Sequence, residues 1–214
     1  MGDEGGFAPN LFTNLDALEV LSESIAQTGH KVGVDVELGL DLAADSFFKE
    51  GRYVIKDRSS PLEAVEFIDY LKDLNEQYRL RILEDPLSEN DWRGWATLTS
   101  TLGKNLLIVG DDLLVTHPER VKKGIAEKAC NTILIKPNQI GTVSETMAVT
   151  KQARDAGWKV IVSHRSGETN DTFISDFAVG VGADYVKFGA PARGERVAKY
   201  NRLLAIESEL HSVA

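Results

Sequence analysis

The chain has little cysteine, no long hydrophobic run and no excess of positive charge, and each lack excludes a class of protein. A single cysteine, Cys130, among 214 residues excludes an intramolecular disulfide and a thiolate metal cluster. We expect this thiol to be buried rather than reactive, because it stands just before an apolar run. No apolar stretch approaches the roughly 20 residues that a membrane-spanning helix needs. The formal net charge of -9 argues against non-specific binding to nucleic acid or to an anionic membrane.

The composition favours a soluble protein with a core of its own. Hydrophobic residues make up 43% of the chain and charged residues 27%, which fits one globular domain over residues 1–214. Residues 1–6 form neither a basic nor an apolar segment, so we do not expect a signal peptide. A cytoplasmic location is therefore predicted. A small anionic substrate would need local positive charge, from metal ions or from clustered lysine and arginine.

Short apolar runs alternate with longer segments of helical period along the whole chain. This alternation is typical of α/β folds with parallel strands. Six strands are predicted, at residues 32–42, 80–85, 106–112, 132–136, 159–164 and 185–189. Several of them are apolar nearly throughout, as parallel strands buried on both faces are.

Three hydroxyl residues stand three positions before a glutamate and predict helix starts. They are Ser60, Thr116 and Thr142, each followed by the spacing of a capping box. Further helices are predicted at residues 15–28, 91–102, 172–181 and 195–211. Residues 47–55 alternate around Glu50-Gly51, which predicts a hairpin outside the main sheet.

Each predicted strand ends in a polar or charged residue that an apolar strand would not otherwise favour. In a β/α barrel the carboxyl ends of all strands converge on one mouth, where active sites are built. A carboxylate there is often a helix cap, a lysine a solvated charge, and a histidine a core or rim residue. We assign capping to Asp85 and Asp112 and interpret the coincidence of all six ends as a site. The strand-end residues are Asp41, Glu84 with Asp85, Asp111 with Asp112, Lys136, His164 with Arg165, and Lys187.

The acidic members of this set predict a magnesium site. Asp41, Glu84 and Asp111 supply hard oxygen ligands, which suit Mg²⁺ and disfavour zinc. The positive field of a bound cation favours the neutral amine of a nearby lysine, the form that acts as a base. Lys136 and Lys187 are the candidates for that base.

The basic and hydroxyl members predict an anionic substrate. Arg165 offers a planar fork to a phosphate or a carboxylate, and Ser166 adds a hydroxyl. Such a site would remove a proton next to a carboxylate and stabilise the enediolate that results.

The motifs that carry these residues resemble, in order and from end to end, those of enolase (phosphopyruvate hydratase). They are GDEGGFAPN at 2–10, GLD at 39–41, EDP at 84–86, GDDL at 110–113, IKPNQIGT at 135–142, SHRSGET at 163–169, KFGAP at 187–191 and RGER at 193–196. Each motif alone is weak, but the ordered set is specific. The run at 163–169 favours true enolases over the acid-sugar dehydratases and epimerases of the same superfamily.

The resemblance implies a reversible, Mg²⁺-dependent dehydration of 2-phosphoglycerate to phosphoenolpyruvate, a step of glycolysis. It implies Lys136 as the general base and Glu4 as the general acid. For Glu4 the sequence alone would favour a flexible glycine turn near a terminus. The remaining implied roles are metal binding by Asp41, Glu84 and Asp111 and substrate binding by His164, Arg165, Ser166 and Lys187.

The resemblance also implies that parts of the family's architecture are missing. The match is to the carboxyl-terminal portion of a TIM-type (β/α) barrel, with about six of eight strands. The amino-terminal domain, with a serine-bearing loop that helps hold a second magnesium, has no counterpart, nor do the first barrel strands. Because open sheet edges invite pairing, we expect a homo-oligomer or a complementing amino-terminal segment, and weak or absent activity of the chain alone.

A different class of function is the alternative. The chain could be a noncatalytic enolase fragment that acts as a binding or assembly module. Complete family members also occur at the cell surface, where they bind host proteins.

Overall fold

The computed structural model describes residues 1–213 of the chain, with strands and helices in alternation. The strands are β1 (Leu38–Asp41), β2 (Phe48–Lys49), β3 (Arg52–Tyr53), β4 (Leu80–Glu84), β5 (Leu107–Gly110), β6 (Thr132–Ile135), β7 (Lys159–Ser163) and β8 (Tyr185–Lys187). The helices are α1 (Asn14–Gln27), α2 (Ala64–Tyr78), α3 (Trp92–Leu102), α4 (Pro118–Glu127), α5 (Pro137–Ile140), α6 (Val143–Asp155), α7 (Phe173–Gly180) and α8 (Gly194–Val213). A short 3₁₀ turn covers Ala44–Ser46.

The chain divides into two compact units. The first unit comprises Asn10–Leu114 and Glu119–Thr132, and the second comprises Met1–Pro9, Val115–Pro118 and the chain from Ile133 onward. The prediction of one domain over residues 1–214 stays a prediction.

The first unit is built on three parallel strands in the order β1, β4, β5. Helix α2 turns Phe67 and Leu71 into the core, and Trp95 of α3 and Leu83 of β4 are buried completely as well. The strand register pairs Asp41 with Glu84 and Glu84 with Val109. The polar ends of β1 and β4 are thereby aligned with each other.

The predicted hairpin is confirmed, as β2 and β3 pair antiparallel. Its two turn residues, Glu50 and Gly51, both have positive φ, +52° and +81°, which is the turn geometry that matches the twist of a tight hairpin. Tyr53 is fully buried and stacks on Phe67 with ring centroids 4.5 Å apart. The hairpin is thus fixed to α2 by an aromatic contact.

The second unit contains the neighbouring strands β6, β7 and β8, in that order, with α5 to α8 around them. Its strands are apolar along most of their length, with Leu134, Ile135, Val160 and Val162 fully buried. Long helix α8 packs against α7. This helix carries two basic residues into the interior, described below.

All six predicted strands of the parallel sheet are present, which confirms an α/β fold with two strands fewer than the eight that close a β/α barrel. The first one is shorter than predicted, because residues 32–37 do not extend it. The amides of Asp35 and Val36 both donate to the carbonyl of Lys31, and Gly33 has φ +79°. Local hydrogen bonds therefore form a turn where the sequence predicted a strand.

One of the three predicted helix caps is confirmed and two are wrong. Thr142 accepts the amide of Glu145 at 3.2 Å and caps α6. Helix α2 begins at Ala64, so its N-cap residue is Glu63 and not Ser60. The side chain of Glu66 accepts the amide of Glu63. The hydroxyl of Thr116 instead accepts the amide of Lys136 at 3.0 Å.

The fold also bears on Cys130 and on membrane spans. Cys130 is buried as predicted, and burial raises the pKa of its thiol. Among the described residues, every helix is too short or too polar to cross a membrane.

Candidate active site

Carboxylates gather at the ends of β1, β4 and β5 in the first unit. Asp41 and Glu84 are register partners on neighbouring parallel strands, and Asp111 follows β5 directly. Since register partners in a parallel pair face the same side of the sheet, Asp41 and Glu84 stand side by side. Glu84 and Asp111 are buried and Asp41 is exposed. The three predicted metal ligands thus stand at the carboxyl ends of three successive strands.

Asp85 fixes the backbone at Asp111 by hydrogen bonds. Its side chain accepts the backbone amide of Asp111 at 3.0 Å and that of Asp112 at 2.8 Å. Burial raises the pKa of Asp85 to about 7, with the backbone amides opposing this and the charges of Asp111 and Asp112 adding to it. Asp85 therefore caps the turn that follows β5, whereas the sequence predicted that it would cap a helix.

Three aspartates are grouped closely enough to bind a metal ion. One carboxylate oxygen from each of Asp85, Asp111 and Asp112 lies within 4.8 Å of the others. This group shares only Asp111 with the predicted ligands. Because both oxygens of Asp85 already accept backbone amides, its position fits that of a residue that orients Asp111. Hard carboxylate oxygens at a strand end are a donor set that suits Mg²⁺.

In the second unit, Glu4, His164 and Arg196 form a continuous chain of hydrogen bonds. His164 follows β7 and is buried, and its Nε2 lies 3.1 Å from Oε2 of Glu4. Its Nδ1 lies 2.7 Å from Nη1 of Arg196. Arg196 is also buried and donates to the carbonyls of Asp3, Arg165 and Ser166. One guanidinium thereby links the amino-terminal turn to the segment after β7.

The charges around His164 favour its neutral form. Burial lowers the pKa of the imidazole, and the positive charges of Arg196 and Lys187 lower it further, while Glu4 opposes them. The net direction is a pKa below the ordinary value of 6.5. His164 is accordingly a neutral hydrogen-bonding group at neutral pH.

Glu4 lies in an ordered turn. The amide of Gly2 donates to the carbonyl of Gly6 at 2.8 Å, and the amide of Ala190 donates to the carbonyl of Glu4 at 2.9 Å. Gly189 has φ +87°, and a Cβ there would lie 2.8 Å from the Glu4 carbonyl oxygen. Glycine at 189 thus permits the close approach that holds Glu4 beside His164. The segment thus forms a hydrogen-bonded turn, where the sequence alone would favour a flexible one.

The other predicted site residues of the second unit lie at strand ends, as expected. Lys136 directly follows β6 and Lys187 ends β8, and both are half-buried. The His164 amide donates to the Lys187 carbonyl at 2.9 Å. Arg165 and Ser166 are exposed, and Nη1 of Arg165 donates to Asn138 at 2.8 Å. A pocket of about 290 Å³ opens beside this loop, with Asn138 and Arg165 in its lining.

Two buried cations on α8 were not assigned a role from the sequence. Besides Arg196, Lys199 is buried and pairs with Glu168 at 2.8 Å. Its ammonium also donates to the carbonyls of Thr169, Asp171 and Glu195. The spacing of Arg196 and Lys199 with buried Ile206 places all three on one helical face. In the sequence, the signal for a buried role of Arg196 and Lys199 was that both share a helical face with an apolar residue, Ile206.

Comparison with known proteins identifies the architecture. The whole chain, residues 1–214, matches the family described as "Enolase, C-terminal TIM barrel domain". It is 50% identical over 214 residues to "Enolase" of Acidothermus cellulolyticus, covering 100% of the chain and 49% of that relative. It is 47% identical over 214 residues to "Enolase 1" of Methanospirillum hungatei JF-1, covering 100% of the chain and 50% of the relative. The chain spans about half the length of the curated relatives it matches, and the predicted barrel fold and resemblance are confirmed.

Proposed function

The chain belongs to the enolase family, and we propose that it forms the catalytic barrel part of a Mg²⁺-dependent lyase that interconverts 2-phosphoglycerate and phosphoenolpyruvate. The observation that carries this proposal is the family match, which extends over every residue of the chain. The Glu4–His164 contact supports it, because this contact fixes the position of Glu4, the general acid of the proposal. As a glycolytic enzyme, the protein acts in the cytoplasm.

Two residues move protons in this proposal. Lys136 removes the proton from the carbon next to the substrate carboxylate, and the electron pair delocalises into that carboxylate as an enediolate. Glu4 then donates a proton to the departing hydroxyl, which leaves as water. Lys136 retains the first proton and Glu4 has lost the second, so the two groups exchange protonation states over one turnover.

The anionic groups of the substrate need positive partners. Arg165 binds the phosphate or the carboxylate through its guanidinium, with Ser166, Lys187 and His164 as further contacts. The exposure of Arg165 and Ser166 supports this assignment, since both are open to a ligand.

Asp41, Glu84 and Asp111 would hold the magnesium ion. Bound Mg²⁺ would neutralise the charge that develops on the substrate carboxylate. The register of Asp41 with Glu84 supports this ligand set. Asp85 contributes by fixing the backbone around Asp111.

The barrel needs further strands, which a second copy or a complementing amino-terminal segment supplies. Among the described residues, β1 pairs only with β4 and β8 only with β7. A strand edge with unpaired amides and carbonyls is a template for another strand. The isolated chain therefore has weak activity until these edges are covered.

Magnesium titration tests the proposed site and separates it from the alternative of a noncatalytic binding module. Mg²⁺ should raise the melting temperature of the full chain and strengthen its binding of a phosphonate analogue of 2-phosphoglycerate. Asp41→Asn and Glu84→Gln should abolish both effects, while the exposed control Asp155→Asn should retain them. Absence of any Mg²⁺ effect in the folded wild-type chain would favour the binding module.

A further inference from the structure

Hydrogen bonds connect Arg196 to His164 and His164 to Glu4. We infer that Arg196 is a positioning residue that holds His164 in its Nε2–H tautomer, so that His164 donates to one oxygen of Glu4 and leaves the other for the proton transfer. The inference rests on the proposed function, in which Glu4 is the general acid. It assigns a role to an arginine outside the predicted set of site residues.

Backbone carbonyls hold Arg196 in place. The side chain is 1% exposed and has hydrogen bonds to three backbone carbonyls, those of Asp3 at 3.1 Å, Arg165 at 2.7 Å and Ser166 at 2.5 Å. Gly189 allows the guanidinium stem to pass, since a Cβ there would lie 2.9 Å from Cδ of Arg196. A guanidinium fixed by three carbonyls has little freedom to turn away from His164.

The contact with Arg196 decides which imidazole nitrogen of His164 carries the proton. A guanidinium only donates hydrogen bonds, so the Nδ1 that faces Nη1 of Arg196 at 2.7 Å must be the acceptor. In the neutral ring the proton then resides on Nε2, which faces Oε2 of Glu4 at 3.1 Å. His164 therefore donates to Oε2.

The hydrogen bond from His164 distinguishes the two oxygens of Glu4. When Oε2 accepts from His164, a proton carried by the Glu4 carboxyl is favoured on Oε1, because the carbonyl oxygen of a carboxylic acid is a better acceptor than its hydroxyl oxygen. The acid thus presents its proton from one defined oxygen. Without Arg196, either imidazole nitrogen could carry the proton, and the unprotonated nitrogen could then face Glu4.

The charged groups that face His164 support this reading. Arg196 and Lys187 disfavour the imidazolium, while Glu4 favours it, and Arg165 follows His164 in the chain. A proton on Nδ1 would also bring two donors together at the Arg196 contact. Protonation of His164 and its bond to Arg196 therefore exclude each other.

Nitrogen NMR of the full chain tests the tautomer directly. The four histidines, His30, His117, His164 and His211, are distinguished with His164→Gln as the assignment variant. In the wild type, Nδ1 of His164 should show the shift of an unprotonated nitrogen and Nε2 that of a protonated one. The opposite pattern, or an equal mixture, would overturn the inference without the need for any Arg196 variant.

Two substitutions separate positioning from simple backbone support. Arg196→Met should give a mixture of tautomers and a higher midpoint for His164 titration, while Arg196→Lys, which retains a donor, should restore much of the wild-type pattern. Arg202→Met, on the same helix but in an exposed pair with Asp176, is the matched control and should leave His164 unchanged. A folded Arg196→Met chain with the wild-type tautomer would contradict the inference.

Kinetics distinguish this inference from the proposed function. In protein that dehydrates 2-phosphoglycerate, Arg196→Met should lower kcat by about tenfold or more with little change in KM, because a misoriented acid loses part of its contribution. An unchanged kcat in a folded Arg196→Met variant would overturn the positioning role while leaving the proposed function intact. Loss of the proposed function would instead appear as no turnover in the wild type, with the tautomer still as inferred.

Discussion

Substitution of Lys199 by methionine should destabilise the chain strongly, because it removes a buried cation from a largely buried carboxylate, that of Glu168. The Lys199 side chain is 1% exposed and that of Glu168 is 16% exposed, and they lie 2.8 Å apart. Breaking a buried ion pair by removing one partner costs about 3–5 kcal/mol. Three carbonyl groups, of Thr169, Asp171 and Glu195, lose a charged donor in the same change. Lys199 thus fastens the loop that carries Arg165 and Ser166.

Urea unfolding measures this cost. With a slope of about 2 kcal/mol per molar urea, a loss of about 3–5 kcal/mol moves the midpoint down by about 1.5–2.5 M. Lys151→Met is the matched control, because Lys151 forms an exposed pair with Asp155, and pairs of that kind contribute about 0.3–0.5 kcal/mol. A Lys199→Met midpoint shift no larger than that of the control, at an unchanged slope, would refute the reasoning.

Three other perturbations have expected outcomes that follow from local hydrogen bonds and charges. Tyr53→Phe removes the hydroxyl that accepts the Ser88 amide at 3.0 Å, so the free energy of unfolding should fall by about 1–3 kcal/mol; a change near zero would mean that the buried amide finds another acceptor. Asp85→Ala leaves two backbone amides without their acceptor and should lower both stability, by about 2–4 kcal/mol, and Mg²⁺ affinity, measured by urea unfolding and by calorimetry; an unchanged Mg²⁺ affinity would contradict its supporting role. The pKa of His164 is lower in the folded state than in the unfolded chain. At a pH just below the ordinary histidine pKa of about 6.5, the unfolded chain therefore binds more protons than the folded one. The contribution of His164 to stability is lost as the pH falls from about 6.5 toward the folded pKa. His164→Gln should flatten that part of the stability curve relative to wild type, and an unchanged slope would show that His164 is not shifted.

Strand positions could be predicted from the sequence because burial on both faces demands continuous apolar runs. Runs such as Leu107–Gly110 and Thr132–Ile135 have no other plausible place in a small domain. The apolar pattern predicted a strand wrongly where local hydrogen bonds form a turn instead. Residues 32–37 have apolar alternation, yet Gly33 and the Lys31 carbonyl form a turn there.

Helix caps were less predictable, because a hydroxyl has several partners to choose from. Thr142 caps α6 as its spacing predicts, whereas Thr116 binds the amide of Lys136, a residue 20 positions away in the chain. No local rule reveals such a partner. Ser60 fails for a local reason instead, because α2 begins at Ala64 and its N-cap residue is Glu63.

The strand-end residues of the candidate site followed from topology, but its supporting residues did not. The positions of Glu84, Asp111 and His164 could be predicted, because each residue lies at the carboxyl end of a parallel strand. The burial of Arg196 depends on three carbonyls from distant segments, which a sequence pattern does not contain. Charged groups that act through tertiary hydrogen bonds are therefore what sequence reasoning misses most readily.

The most direct test of the central claim is the formation of phosphoenolpyruvate from 2-phosphoglycerate by the full chain, followed by ultraviolet absorbance. The assay is run with and without Mg²⁺, and with and without an added amino-terminal segment from a related enolase. We predict Mg²⁺-dependent turnover that increases with the added segment and is lost in Lys136→Met but not in Lys151→Met. A folded chain that binds the segment and Mg²⁺ yet gives no product, or a Lys136→Met variant with wild-type turnover, would contradict the account.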